Sequence, residues 1–225
     1  MVAERQRILA ERQRRGIKMP GPKRWFFWMV AAAVLLAGCD SFKPAKPQVN
    51  KGSVEPGTTV SRGEKRFRLL GTPVTVGKAL PSVKLVDAMT GKDVDPSAER
   101  GKVLLLSVVP SIDTKVCEAQ THVLAEEGSR MGDKVERITI SRDTPFAQKR
   151  FSEEAKLTSV RFLSDYKEGE FGRATGLLIE ESRLLARSVI LVDREGVVRY
   201  IQVVPEISNL PDLDAAFEKA LALAR

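Results

Sequence analysis

Cysteine and histidine are scarce in this chain of 225 residues, which has only Cys39, Cys117 and His122. Two cysteines cannot form the set of several disulfides that stabilises a small secreted domain. A structural zinc site needs four Cys or His ligands, and a catalytic zinc site commonly uses three protein ligands. These three residues do not form a convincing set of either kind, so we expect no metal cofactor.

Several motifs of well-known enzyme classes are also missing. No G-x-S-x-G segment accompanies His122, as a Ser-His-Asp hydrolase of that type would require. The sequence contains neither a Walker A loop nor a G-x-G-x-x-G loop, which bind nucleotide and dinucleotide phosphates. We therefore expect no cofactor at all.

Positive charge is in excess, but it is concentrated at one end of the chain. The formal net charge is +8, and residues 1–38 contribute six of these charges. The remaining residues carry nearly equal numbers of acidic and basic side chains. A balanced domain does not present a broad basic surface, so we expect no nucleic-acid partner.

The longest apolar segment covers residues 25–38 and follows the basic pair Lys23 and Arg24. As a helix it would be about 21 Å long, whereas the hydrocarbon core of a bilayer is about 30 Å thick. A basic region, a short apolar run and small residues at its end are the parts of a secretory signal peptide. The segment therefore indicates export rather than a comfortable transmembrane span.

The four residues Leu36-Ala37-Gly38-Cys39 resemble a bacterial lipobox. The resemblance implies that residues 1–38 are removed and that the Cys39 thiol is lipidated, with several acyl chains anchoring the protein to a membrane. The alternative is an uncleaved anchor in which Cys39 is an ordinary residue. The basic region is unusually long, so Met19 is a possible true start. Asp40 resembles a retention signal for the inner membrane, which places the domain at the periplasmic face of the cell envelope.

Residues 39–64 are rich in proline, glycine, serine and threonine, which is typical of a flexible tether. The folded domain is predicted to cover residues 65–225. Its apolar pattern predicts strands at 66–70 and 74–76, joined by a tight turn at 71–73, and further strands at 83–86, 103–109, 135–140, 187–192 and 197–204. Helices are predicted at 115–131, 146–156 and 212–224. This alternation predicts a layered α/β domain.

Cys117 follows the apolar run 103–109 and lies in the first turn of the next predicted helix. Amide groups at a helix start have no intrahelical acceptor and carry partial positive charge, so they stabilise a thiolate relative to a thiol. A cysteine is also commonly a small buried apolar residue. Thr114, three residues earlier, has the alternative role of a helix N-cap. Position alone leaves both interpretations open.

Four segments of the domain form an ordered set: P-S-I-D-T-K-V-C at 110–117, S-R-D-T-P-F-A-Q-K-R-F at 141–151, L-A-R-S-V at 185–189 and V-P-E-I at 204–207. Together they resemble the bacterial thiol peroxidases, a peroxiredoxin subfamily. The match extends in order over about residues 65–225. It implies a thioredoxin-like α/β fold with an N-terminal β-hairpin, and the reduction of hydrogen peroxide or organic hydroperoxides.

The resemblance also assigns roles to four residues. It implies that Cys117 is the peroxidatic cysteine, which attacks the peroxide and becomes a sulfenic acid. Thr114 would position the peroxide, Pro110 would shield the site from water, and Arg187 would hold the thiolate and the polarised peroxide oxygen. Without the resemblance, a role of Arg187 as the salt-bridge partner of an acidic residue would be favoured.

The sequence departs from the family at Ser152, where these enzymes usually carry a resolving cysteine. We therefore predict a one-Cys cycle in which an external thiol or a thioredoxin-like protein reduces the sulfenic acid. A homodimer is also possible. One rival is a thiol–disulfide oxidoreductase, but its C-x-x-C motif would require cysteine at Thr114. Another is a membrane-anchored redox sensor or non-catalytic binding lipoprotein on the same fold.

Overall fold

The apolar run at 103–109 forms the central strand of the fold. In the computed structural model, which describes residues 47–225, this strand is Val103–Val108 and all six of its residues are buried. Burial on both faces explains why the run is almost continuously apolar instead of alternating.

The described residues contain twelve strands and four α-helices. The strands are β1 Val49–Asn50, β2 Thr59–Arg62, β3 Lys65–Leu70, β4 Leu85–Asp87, β5 Asp93–Val94, β6 Val103–Val108, β7 Val135–Ser141, β8 Arg161–Ser164, β9 Leu178–Ile179, β10 Ser188–Val192, β11 Val198–Val203 and β12 Leu210–Pro211. The helices are α1 Lys115–Gly128, α2 Pro145–Glu154, α3 Glu170–Thr175 and α4 Leu213–Leu223, with short 3-10 segments at Pro96–Ala98 and Ser129–Lys134. The three predicted helices therefore form as α1, α2 and α4.

Seven strands form the central sheet in the order β11-β10-β6-β7-β8-β4-β5. Strands β6, β7 and β8 are parallel, and α1 and α2 lie in the connections between them. Strand β10 is antiparallel to both β6 and β11. This arrangement confirms the predicted α/β class and places the ends of β6 and β7, with the starts of α1 and α2, at one edge of the sheet.

Alternate residues of β6 contribute to two separate cores. Leu104 and Leu106 belong to a cluster that also contains Val60 of β2, Leu69 of β3 and Leu178 of β9. Val103 and Leu105 belong to a second cluster, which they share with residues of α1 and α4. The sheet is thus covered by a small three-stranded sheet on one face and by helices on the other.

The predicted N-terminal hairpin is present, but the prediction that its second strand is residues 74–76 is wrong. Strand β3 matches the prediction at 66–70, yet its hairpin partner is the preceding strand β2, and residues 74–76 form no strand. After β3 the chain leaves the sheet at Gly71, whose φ is +111°. A Cβ at this position would lie 2.0 Å from the carbonyl oxygen of Arg173, and the Thr72 amide donates to that same oxygen at 2.7 Å. Close packing against α3 thus replaces the predicted turn.

The predicted flexible tether is too long, because residues 47–64 belong to the folded unit. Strand β1 pairs in parallel with β12, the Val54 amide donates to Val203 O at 3.0 Å, and the Ser61 amide donates to Pro205 O at 2.7 Å. These backbone bonds use strand edges that the polar composition of the segment does not reveal. The rest of the tether, with Cys39, and the predicted signal peptide at 1–38 lie outside the described residues. Within residues 47–225, no helix is long and apolar enough to cross a membrane.

Candidate active site

Cys117 is the third residue of α1, as the sequence predicts, and it has no exposed surface. It packs in a small apolar cluster with Val109 and Ile112. The Thr114 hydroxyl donates to Cys117 Sγ at 2.9 Å, and its alternative acceptor, Ser111 O, lies at 3.3 Å. Thr114 itself is exposed. The hydroxyl therefore lies on the solvent side of the buried sulfur.

Arg187 immediately precedes β10 and brings three separate donors to this site. Its Nη2 donates to Cys117 Sγ at 3.3 Å, its Nη1 to Gln120 Oε1 at 2.7 Å and its Nε to Ile207 O at 2.9 Å. The three acceptors lie on two elements: α1 supplies the sulfur and the amide oxygen, and the β11–β12 connection supplies the carbonyl. The planar guanidinium is consequently fixed in position and orientation.

The surroundings of Arg187 argue against a salt-bridge role. The side chain is only 2% exposed, and no carboxylate of residues 47–225 forms an ion pair with it. Buried charges are normally paired, because leaving one without a counter-charge is costly. Of the three groups that accept from Arg187, only Cys117 can become an anion. A thiolate at Cys117 would be the missing counter-charge.

Gln120 was not identified from the sequence, although it lies three residues after Cys117 on the same face of α1. It is fully buried, and its Nε2 donates to Ser107 Oγ of β6 at 2.8 Å. This bond fixes the amide so that Oε1 faces Arg187. The i, i+3 spacing from the cysteine is the signal that could have found it.

Asp143, just after β7, holds the loop that precedes α1. Its Oδ1 accepts from Ser111 Oγ at 2.8 Å, and its Oδ2 accepts from the Ile112 amide at 2.8 Å and from Ser141 Oγ at 2.7 Å. The sequence showed this residue only within the resembling segment 141–151, without a role. The structure places it as a positioning residue, which holds the Thr114 loop without touching the sulfur.

Replacement of Asp143 by asparagine is expected to lower kcat/KM for hydrogen peroxide by about tenfold to 10²-fold, because a small misplacement of reacting groups has effects of this size. In asparagine an NH₂ group replaces one of the two carboxylate oxygens. This group is a donor, so it cannot accept the hydrogen bonds that the oxygen now accepts. Asp113→Asn is the matched control, since that exposed residue of the same loop makes only a 3.7 Å ion pair with the exposed Arg150. Equal kcat/KM values for the two variants would contradict the positioning role.

Glu206 fastens the β2–β3 hairpin to the segment that supplies Ile207 O. Its Oε2 accepts from the Gly63 amide at 2.8 Å and from Ser61 Oγ at 3.2 Å. Burial alone raises its pKa, but the hydrogen bonds from Ser208, Gly63 and Ser61 outweigh burial and lower the pKa. The carboxylate is therefore charged at neutral pH and keeps the hairpin bonded to the segment whose Ile207 O accepts from Arg187.

Three other residues that the sequence singles out are Pro110, Ser152 and Cys39. Pro110 is buried two residues after β6, at the start of the Asp143-bound loop, and its water-shielding role stays a prediction. Ser152 is buried in α2, and its hydroxyl donates to Leu157 O at 3.4 Å. Cys39 lies outside the described residues, and Cys117 is the one free cysteine within them. The structure thus brings Cys117, Thr114 and Arg187 together.

The chain is similar to known proteins over most of its described residues. The model of the Redoxin family matches residues 75–217. The thiol peroxidase of Halalkalibacterium halodurans is 45% identical over 155 residues, covering 68% of this chain and 92% of that relative. The thiol peroxidase of Bacillus subtilis is 42% identical over 158 residues, covering 70% and 93%.

Solved structures show the same relationship. A peroxiredoxin-like protein from Aquifex aeolicus superposes with a TM-score of 0.68 at 31% identity, covering 76% of this chain and 99% of that one. The thiol peroxidase from Chromobacterium violaceum gives a TM-score of 0.63 at 25% identity, covering 73% and 95%. The predicted thioredoxin-like fold is confirmed. The chain belongs to the redoxin family and, within it, to the thiol peroxidases, which are peroxiredoxin-type oxidoreductases that act on peroxides.

Proposed function

We propose that this protein reduces hydrogen peroxide or organic hydroperoxides by a one-Cys cycle centred on Cys117. The thiolate attacks the nearer peroxide oxygen, an S–O bond forms and the O–O bond breaks. Cys117 becomes a sulfenic acid, and the departing alkoxide or hydroxide takes a proton to leave as an alcohol or water. The sulfur is oxidised and the peroxide is reduced by two electrons.

The observation that carries this proposal is the buried Arg187 guanidinium, which has no carboxylate partner among the described residues and donates to Cys117 Sγ at 3.3 Å. Nucleophilic attack needs a negative sulfur, and negative charge then develops on the departing oxygen. A fixed cation and a hydroxyl donor beside the sulfur stabilise both charges. The Thr114 hydroxyl, at 2.9 Å from the sulfur, is placed to donate to the incoming peroxide instead.

The reducing half of the cycle needs thiols from outside the protein. Ser152 replaces the resolving cysteine that the family usually has, and a serine hydroxyl cannot form a disulfide. A first external thiol condenses with the sulfenic acid, which forms a mixed disulfide and releases water. A second thiol attacks that disulfide, which restores the Cys117 thiol and leaves the reductant oxidised. A small thiol or a thioredoxin-like protein fits this role.

Lipidation of Cys39 is the second part of the proposal. It places the peroxidase domain outside the cytoplasm, attached to a membrane of the cell envelope, with the periplasmic face of the inner membrane favoured by Asp40. Its support is the lipobox-like segment 36–39 and the signal-peptide pattern before it. Consumption of the Cys39 thiol by lipid also leaves Cys117 as the single free thiol of the mature chain.

Oxidation of the purified mature chain by one equivalent of hydrogen peroxide, followed by mass spectrometry, tests the cycle. We expect Cys117 to gain one oxygen atom, no intramolecular disulfide to form, and peroxide to be consumed repeatedly when dithiothreitol is supplied. The N-terminal peptide in the same spectra is expected to carry the diacylglyceryl group on Cys39.

Two outcomes would contradict the one-Cys cycle. A disulfide between Cys39 and Cys117 would show an internal resolving thiol and an unlipidated N-terminus. A single oxidation event without further turnover in dithiothreitol would favour a redox sensor. Such a sensor would have lost turnover together with the resolving cysteine.

A further inference from the structure

The β2–β3 hairpin carries four exposed cations within seven residues. They are Arg62, Lys65, Arg66 and Arg68, and none of them forms an ion pair with a carboxylate in the described part of the chain. Three acidic residues lie in the hairpin or are hydrogen-bonded to it. They are Glu64 in the turn, Glu180, whose amide donates to Arg68 O, and Glu206, whose carboxylate accepts from Gly63, Ser61 and Ser208.

Strand register places these cations in two pairs on opposite faces of the hairpin. Arg62 and Lys65 are directly opposite each other beside the turn, and Arg66 and Arg68 lie on the other face of β3 with Ser61 and Thr59 opposite them. Like charges in opposing positions destabilise a strand pair. Val60 and Leu69 pack into the core from the face that carries Arg62 and Lys65 near the turn, so Arg66 and Arg68 lie on the outward face. All four side chains remain exposed, so they are accessible to an anionic partner outside the domain.

The β2–β3 hairpin and strand β1, where the described chain begins, are both hydrogen-bonded to residues 205–210. Ser61 of β2 bonds to Pro205 O and accepts from the Ile207 amide, while Val49 of β1 pairs with Leu210. Eight residue steps separate Cys39 from Pro47. Fully extended, such a stretch spans at most about 29 Å. A lipid on Cys39 would therefore keep the start of the folded unit close to the membrane surface.

We propose that the cationic hairpin, defined by Arg62, Lys65, Arg66 and Arg68, binds the anionic phospholipid headgroups of the membrane that holds Cys39. This inference rests on the lipid anchoring proposed above. Guanidinium groups bind phosphate oxygens in a bidentate manner, and clusters of at least four Lys or Arg residues next to a membrane attachment are attracted to anionic lipid surfaces. The attraction decreases as salt screens the charges.

Docking by this surface has a consequence for the active site. The segment 205–207 that holds the hairpin also supplies Ile207 O, which accepts from Arg187 Nε at 2.9 Å. The hairpin bound to lipid would thus hold the active site near the bilayer surface. Hydroperoxides formed on membrane lipids are the substrate class that such a location favours.

Vesicle co-sedimentation of the chain from residue 39 onwards, carrying Cys39→Ser so that no lipid is attached, tests the proposal without relying on the anchor. We expect binding to phosphatidylcholine vesicles that contain phosphatidylglycerol, at least tenfold weaker binding to phosphatidylcholine alone, and release at high salt. The double substitution Arg66→Gln/Arg68→Gln is expected to weaken binding by about tenfold or more.

The matched control is Lys84→Gln/Lys92→Gln, which removes the same charge from exposed positions beside β4 and β5. We expect this variant to bind like the parent chain, and both double variants to keep peroxidase activity with hydrogen peroxide and dithiothreitol, which shows that they are folded. Equal binding to the two vesicle types, or equal losses in the two double variants, would overturn the proposal while leaving the peroxidase cycle intact.

Discussion

Replacement of Cys117 by serine is expected to abolish peroxide reduction, lowering kcat/KM by more than about 10³-fold. The serine hydroxyl occupies almost the same volume and can accept the bonds from Thr114 and Arg187, so the fold is expected to remain. However, an alcohol neither ionises near neutral pH nor forms a stable oxidised product with peroxide. Peroxide consumption in dithiothreitol, measured beside a thermal unfolding curve, separates lost chemistry from lost structure.

Cys39→Ser is the control that identifies the reactive thiol. It removes the other cysteine of the chain, which lies outside residues 47–225, and it is expected to leave kcat/KM with hydrogen peroxide within about twofold of the parent. Residual turnover in Cys117→Ser that disappears in the double variant would assign the chemistry to Cys39 and contradict the proposed site.

The parts of the fold that the sequence predicts are those with a strong local signal. Strand β6 is a long apolar run buried on both faces, and α1, α2 and α4 each follow recognisable starting residues. Thr144 caps α2 ahead of a proline, and Asp212 caps α4. Such signals depend on neighbouring residues only, so they can be recognised without knowledge of the tertiary structure.

The parts that the sequence misses depend on partners far along the chain. Strand β1 has two residues and exists because β12, about 160 residues later, pairs with it. Strand β9 likewise pairs with β3 through two residues. Polar composition made residues 47–64 resemble a tether, yet their backbone bonds to 203–207 fix them. No local pattern encodes such pairings.

The same distinction applies to the active site. Cys117 and Thr114 are neighbours on α1 and its leading loop, so spacing alone places them together. The sequence separation between Cys117 and Arg187 is 70 residues, and only the family resemblance linked them before the structure was known. Ile207 contributes through its backbone carbonyl, which no side-chain pattern reveals. Contacts of this kind become visible only when the sheet assembles.

Replacement of Arg187 is expected to change the stability of the fold as well as catalysis. Its guanidinium is buried and donates to Gln120 Oε1 and Ile207 O, so its removal leaves one buried and one part-buried acceptor without this donor. The buried acceptor alone costs about 1–3 kcal/mol. Methionine is apolar and similar in length, which limits the cavity that forms. A loss of stability is therefore expected in addition to the loss of catalysis, and assays must be run well below the midpoint of thermal unfolding.

Arg187→Met is expected to lower kcat/KM for hydrogen peroxide by about 10²–10³-fold, because a fixed donor that stabilises developing negative charge contributes this much. Arg187→Lys keeps the charge but loses the planar set of donors, so a smaller decrease is expected. Alkylation of Cys117 by iodoacetamide at neutral pH reports on the sulfur alone, and its rate should fall in the order Arg, Lys, Met. If Arg187→Met remains folded and alkylates as fast as the parent, the guanidinium is not the counter-charge of the sulfur, and the mechanism proposed for Cys117 fails with it.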